Sequence, residues 1–180
     1  MAYAFRLPAM VSGVLVAAVG TTVLPYFSEL LARRDDARCR RVFKSYALAL
    51  LAGGSALALV LIAFSEPLVE LILQRGAFRA EDTQVVAAIQ RAYLVQIPGA
   101  LVGILAYRLL VAQGALGTVA CVSTLGVLVS GILAWMLAIR LGATGIALGF
   151  SVTTAISAIL LVVLALRGFR AHRQEEGGGP

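Results

Sequence analysis

Long apolar stretches without charge divide the chain into segments that could each cross a bilayer. The longest stretches without a charged residue are 7–28, 45–65, 109–139 and 141–166. A helix needs about 20 apolar residues to span the hydrocarbon core. The pattern predicts about five transmembrane helices, at residues 4–31, 42–73, 83–112, 116–139 and 143–169.

The composition supports a membrane protein over a soluble one. Hydrophobic residues make up 61% of the 180 residues and charged residues 13%, whereas soluble domains are about 45–50% apolar and about 25% charged. We expect an all-α, polytopic membrane helix bundle over residues 1–170. The tail at 171–180 ends in Glu-Glu-Gly-Gly-Gly-Pro, and we expect it to be disordered.

The positive charges predict the topology and argue against nucleic-acid binding. The net charge is +6, but its main cluster lies between the first two predicted crossings. That loop and the tail together hold nine basic residues: Arg33, Arg34, Arg38, Arg40, Arg41, Lys44, Arg167, Arg170 and Arg173. The loops on the other side hold three: Arg75, Arg79 and Arg140. The positive-inside rule therefore predicts a cytoplasmic C-terminus, with membrane lipids as partners.

The sequence offers no pattern typical of an enzyme, a metal site or a cofactor site. No cysteines and histidines occur at metal-ligand spacing, and the only histidine, His172, lies in the polar tail. We therefore predict no catalytic residue, no metal and no cofactor.

Proline and glycine interrupt the predicted third helix. Pro98 and Gly99 lie near its middle, where proline removes a backbone hydrogen bond and bends the helix. Such residues are ordinary in membrane helices, but bent helices can also line a cavity or act as hinges. We interpret Pro98 and Gly99 as a candidate hinge.

The turn between the second and third helices is well formed for a structural role. Gly76 is placed to end the second helix in a left-handed conformation, and Arg75 complements the negative end of that helix. Phe78 can then return to the membrane interface. This explanation accounts for Arg75, Gly76 and Phe78 without any substrate.

The order of these residues is also specific to one family. The informative segments are Arg-Gly-Ala-Phe at 75–78, Tyr93 and Pro98 in the next helix, Tyr-Ala-Phe-Arg-Leu at 3–7, and Gly-Ala-Thr-Gly at 142–145. From about Ala2 to Leu166 the chain resembles the MurJ/MviN family of lipid II flippases. Family members look like two six-helix lobes, and this chain resembles the last five helices of the second lobe. The resemblance implies either a fragment or a chain that assembles with a missing N-terminal lobe or other membrane chains.

The resemblance implies transport of lipid II, a lipid-linked oligosaccharide, across the bacterial cytoplasmic membrane by alternating access. It also implies that Arg6 binds the substrate pyrophosphate, for which a planar guanidinium is well suited. Two alternatives stay open. One is another exporter of the same superfamily, for O-antigen or capsule lipid-linked sugars or for organic cations. The other is a membrane assembly subunit that transports nothing.

Overall fold

A computed structural model describes residues 2–33, 35–73 and 80–177, with side chains described for 9–70 and 84–169 except 11, 22, 24 and 34. These residues form helices and no strand: α1 (Ala2–Ala32), α2 (Asp36–Ala63), α3 (Ser65–Leu73), α4 (Ala80–Leu94), α5 (Ile97–Ala112) and α6 (Leu116–Gly177). The side chain of Arg6 and the turn residues Arg75, Gly76 and Phe78 lie outside the described set.

The last helix, α6, is a hairpin of two antiparallel arms. Gly142 interrupts it with φ 59° and ψ −136°, a backbone conformation that favours glycine. In a straight helix Ala134 and Gly149 would lie about 22 Å apart. Instead, a Cβ added at Gly149 would lie 2.9 Å from the Cα of Ala134. We name the arms α6a (116–141) and α6b (143–177).

The helices are long and apolar enough to cross a membrane. Candidate spans are Ser12–Ala32, Asp36–Ala63, Gln84–Ala112 and Leu116–Phe169, and the last supplies two crossings because it folds back at Gly142. Leu59, Trp135 and Ile159 are each more than 60% exposed, which a bilayer tolerates and water does not. The predicted all-α membrane bundle is confirmed.

The second crossing begins earlier than predicted and is broken near its end. The carboxylate of Asp35 accepts a hydrogen bond of 3.0 Å from the backbone N–H of Arg38, which caps α2 and lets it begin at Asp36. The helix is then interrupted at Phe64. Pro67 has no N–H to donate to the carbonyl of Ala63, which explains the interruption.

The third crossing is also divided, between Leu94 and Ile97. Pro98 occupies the first turn of α5, where a proline is tolerated because its missing N–H would have no partner there. At the C-terminus, α6b continues to Gly177, through most of the segment expected to be disordered. Residues 171–176 are rich in Ala, Arg, Gln and Glu, which favour helix.

α5 lies at the centre of the bundle and packs against α1, α2 and α6. The largest core cluster lies where α1 ends and α2 begins, and it joins Phe27, Phe43, Leu105 and Leu109. The rings of Phe27 and Phe43 are 6.3 Å apart. This end of the bundle, which we name the α1–α2 end, also holds the turn from α5 to α6. Gly114, with φ 75°, makes that turn.

Candidate functional site

A groove lined mainly by apolar and small residues, with several hydroxyl groups, runs between α1, α5 and both arms of α6. Its larger part is a cavity of about 660 Å³. The polar residues in its wall are Tyr107, Ser123, Ser130, Thr153, Thr154 and Ser157. Its smaller part, of about 500 Å³, is lined by Ala9, Ser12, Tyr93 and Gln96 and shares Ala100, Phe150 and Thr154 with the larger part. We call the two parts together the groove.

Two hydroxyl groups of groove-lining residues have no hydrogen-bond partner among the described residues. They are those of Ser12 and Ser130, whose Oγ atoms are buried. A serine hydroxyl can both donate and accept. Hydroxyls and the amide of Gln96 can therefore hydrogen-bond sugar hydroxyls or phosphate oxygens. The described lining contains no carboxylate, histidine or cysteine.

Small residues hold α5 close to α6b beside the groove. A Cβ added at Gly99 would lie 3.4 Å from the Cα of Ala155, and one at Gly103 would lie 3.5 Å from the Cβ of Ala158. This close approach is typical of membrane helices that pack through small side chains. Gly99, predicted as part of a hinge, therefore lies in the groove wall, where it also permits packing.

The break in the third crossing is stabilised by α6b. The backbone N–H of Gln96 donates to the carbonyl of Tyr93 at 3.3 Å instead of to that of Ala92. The hydroxyl of Ser151, which is buried, donates to the free carbonyl of Ala92 at 2.6 Å. Buried carbonyls need such partners, above all in a membrane.

Pro98 packs closely on the opposite side of α5. A Cβ added at Gly54 of α2 would lie 3.1 Å from the Cα of Pro98. The candidate hinge thus has α2 on one side and α6b on the other.

A second polar contact joins α4 to the break at Phe64. Nε of Arg91 donates to the hydroxyl of Ser65 at 2.6 Å, and a terminal nitrogen of Arg91 pairs with Glu66 at 2.9 Å. Ser65 is fully buried. The sequence analysis did not identify this contact. Two signals for it were present in the sequence: Pro67, which interrupts a helix, and Arg91, a charged residue next to an apolar stretch.

Arg108 is a second arginine that the sequence analysis did not identify. Its guanidinium carbon lies 5.7 Å from the centre of the Tyr107 ring. Its Nε is buried and has no hydrogen-bond partner among the described residues. On α1, Gly20 lies against this guanidinium. A half-buried cation of a membrane bundle, next to a groove, is a functional candidate.

Comparison with known proteins identifies the family. A family model described as "Lipid II flippase MurJ" matches residues 1–176, which confirms the resemblance seen in the sequence. A solved structure titled "Lipid II flippase MurJ, inward closed conformation" is similar in fold, with a TM-score of 0.77 and 23% sequence identity. The match covers 93% of this chain and 36% of that chain, so this chain spans about a third of its length. None of the curated proteins matches the chain.

Proposed function

The chain belongs to the lipid II flippase MurJ family, and from this premise we propose that it is part of a lipid II flippase. The substrate is the lipid-linked oligosaccharide from which peptidoglycan is made. It crosses the bacterial cytoplasmic membrane by alternating access, and no bond is made or broken. The observation that carries this proposal is the family match over residues 1–176.

The chain supplies one wall of the transport cavity. Support comes from the groove, whose hydroxyls, including the unpartnered Ser12 and Ser130, suit a sugar-bearing substrate inside an otherwise apolar bundle. The solved flippase is nearly three times as long as the part matched here. The opposite wall therefore comes from a first lobe, which another part of the protein or another chain provides.

Growth rescue tests this function. In cells depleted of their own lipid II flippase, the chain should restore growth when it is expressed with the first lobe and the first helix of the second lobe of a family member. That N-terminal part alone should not, and neither should this chain alone. Failure of the pair at normal levels of folded protein would refute the proposal. Rescue by this chain alone would refute the one-wall arrangement, because the chain would then form a complete transporter by itself.

Arg6 binds the pyrophosphate of the substrate. Support comes from the register of α1: position 6 lies three residues before Ala9, and Ala9, Ser12 and Val16 line the groove. Residues three and four apart share a helix face, so position 6 belongs to the groove side of α1.

Substitution of Arg6 tests that role in the rescue experiment. Arg6→Ala should abolish rescue without loss of folded protein. Arg6→Lys should restore little, because lysine has no planar fork for a pyrophosphate. Arg41→Ala, which removes an exposed arginine of α2, is the matched control and should keep rescue. Full rescue by Arg6→Ala would mean that Arg6 only reaches toward the interface, as arginines near helix ends do.

Pro98 and Gly99 form the hinge of the third crossing in this proposal. The interrupted hydrogen bonding between Leu94 and Ile97 supports this role, because a helix moves most easily where its backbone ladder is already broken. We also propose that Arg75, Gly76 and Phe78, which lie outside the described residues, belong to a structural turn on the external side, and that the C-terminus is cytoplasmic.

A further inference from the structure

The guanidinium of Arg108 lies in a slot against Gly20 of α1, and any larger side chain at that position would make it shift. A Cβ added at Gly20 would lie 2.9 Å from a terminal nitrogen of Arg108 and 3.2 Å from its Nε. Both distances are shorter than ordinary van der Waals contact, so a larger residue would displace the guanidinium. Gly20 is itself buried. The side chain is therefore held between α1 and α5, not spread on the surface of the bundle.

The side chain points into the bundle and away from the nearer interface. Arg108 lies about one turn before the end of α5 at Ala112, at the α1–α2 end. Helical side chains tilt toward the N-terminus, which for α5 is the bundle centre. Ala32, where α1 ends, lies at this same end of the bundle. Gly20 lies about 18 Å along α1 from Ala32, near the middle of the helix. A side chain that merely reached for water would point the opposite way.

The slot lies at the end of the groove. Tyr107 and Val16 both line the groove, and Gly20 lies one helical turn beyond Val16 on the same face of α1. A ligand in the groove could therefore reach the guanidinium.

The described residues do not neutralise this cation. The ion pairs that they form join Arg33 to Glu29 and Arg91 to Glu66, and the Tyr107 ring is the contact of Arg108 that partly compensates its charge. A guanidinium within a membrane bundle is costly unless an anion or polar groups compensate it.

We propose that Arg108 binds the phosphate group of a lipid that enters the groove. Nε is buried and faces Gly20, so the two terminal nitrogens donate in parallel to two phosphate oxygens, a geometry that a planar guanidinium allows. A lipid-linked pyrophosphate and a phospholipid headgroup share this chemistry. The binding site is separate from Arg6 and does not depend on flipping, so failure of the growth rescue would leave it unaffected.

Binding to the purified chain in detergent micelles, measured by native mass spectrometry, tests the proposal. The probes are undecaprenyl pyrophosphate, phosphatidylglycerol, and diacylglycerol, which has no phosphate. Arg108→Gln should weaken binding of a phosphate lipid about tenfold, since it removes a charge-assisted hydrogen bond. Arg41→Gln removes an exposed arginine at the same end of the bundle and should change binding less than twofold.

Glycine variants test the slot without removing the charge. Gly20→Ala should weaken phosphate-lipid binding several-fold, whereas Gly13→Ala, where a Cβ would meet nothing within 4 Å, should not. This pair decides the question if Arg108→Gln does not fold.

The outcomes are distinct. Loss confined to undecaprenyl pyrophosphate identifies the transported lipid as the ligand, and loss that includes phosphatidylglycerol identifies a headgroup site. Wild-type binding of both phosphate lipids by Arg108→Gln would overturn the proposal, as would equal binding of diacylglycerol.

Discussion

Removal of the Ser151 hydroxyl is expected to loosen the break in the third crossing. Ser151 donates its hydrogen bond of 2.6 Å to the carbonyl of Ala92 across 59 residues of sequence. That carbonyl has lost its usual helical donor, because the N–H of Gln96 bonds to Tyr93 instead. Ser151→Ala keeps the Cβ and removes only the donor, so the carbonyl of Ala92 is left buried without this partner.

The expected loss of stability follows from the typical energies of hydrogen bonds in soluble and membrane proteins. A typical intramolecular hydrogen bond contributes about 0.5–1.5 kcal/mol net, and an unsatisfied buried group costs about 1–3 kcal/mol. Hydrogen bonds between membrane helices average about 0.6 kcal/mol and reach about 1.7 kcal/mol. Since the Ser151 bond is short and Ser151 is 3% exposed, a value near the membrane maximum is expected. Ser151→Ala should therefore lower the free energy of unfolding by about 1–2 kcal/mol.

Equilibrium unfolding of the chain in mixed micelles, driven by a denaturing detergent, measures this change. Ser123→Ala is the matched control, because Ser123 is an exposed serine of the groove, and it should shift stability by less than about 0.5 kcal/mol. If Ser151→Ala is as stable as Ser123→Ala, the hydroxyl does not stabilise the break and the account of this crossing fails.

The remaining predictions concern the α6 hairpin and the topology. Gly142→Ala should destabilise the chain by about 1–3 kcal/mol, because alanine is strained at φ 59° and ψ −136°. Gly131→Ala, in open space within α6a, should instead stabilise it by up to about 1 kcal/mol; equal effects in the same unfolding assay would contradict the hairpin. With Cys39 and Cys121 changed to alanine, a cysteine at Gly76 should react with an impermeant thiol reagent in intact cells. A cysteine in the turn between α1 and α2 should react only after the membrane is opened, and the reverse pattern would invert the proposed orientation.

The sequence predicted the class of the fold because that class depends on local composition. Uncharged stretches such as 45–65 and 141–166 are long enough to cross a bilayer whatever they pack against. Pro98 likewise marks its own break, since the missing N–H is a property of the residue. The break at Phe64 had the same kind of signal in Pro67, but the apolar pattern continued through it and predicted one helix.

The polar contacts could not be predicted because they depend on how distant helices align. Ser151 meets Ala92 only through the register of α6b against α4. Arg108 meets Gly20 only because α5 packs against α1. In the sequence each is one serine, arginine or glycine among many, and neither spacing nor charge pattern pairs them.

The central claim is the proposal that this chain supplies the last five helices of the second lobe of a lipid II flippase, and the exposure of lipid II on the outer membrane face tests it most directly. Cells depleted of their own flippase would be treated with an impermeant enzyme that cleaves lipid II at its pyrophosphate. With this chain and the missing N-terminal helices of a family member both present, cleavage should rise toward the level of undepleted cells, and Arg6→Ala should return it to the depleted level. Cleavage that stays at the depleted level, although both parts are folded and in the membrane, would contradict the claim.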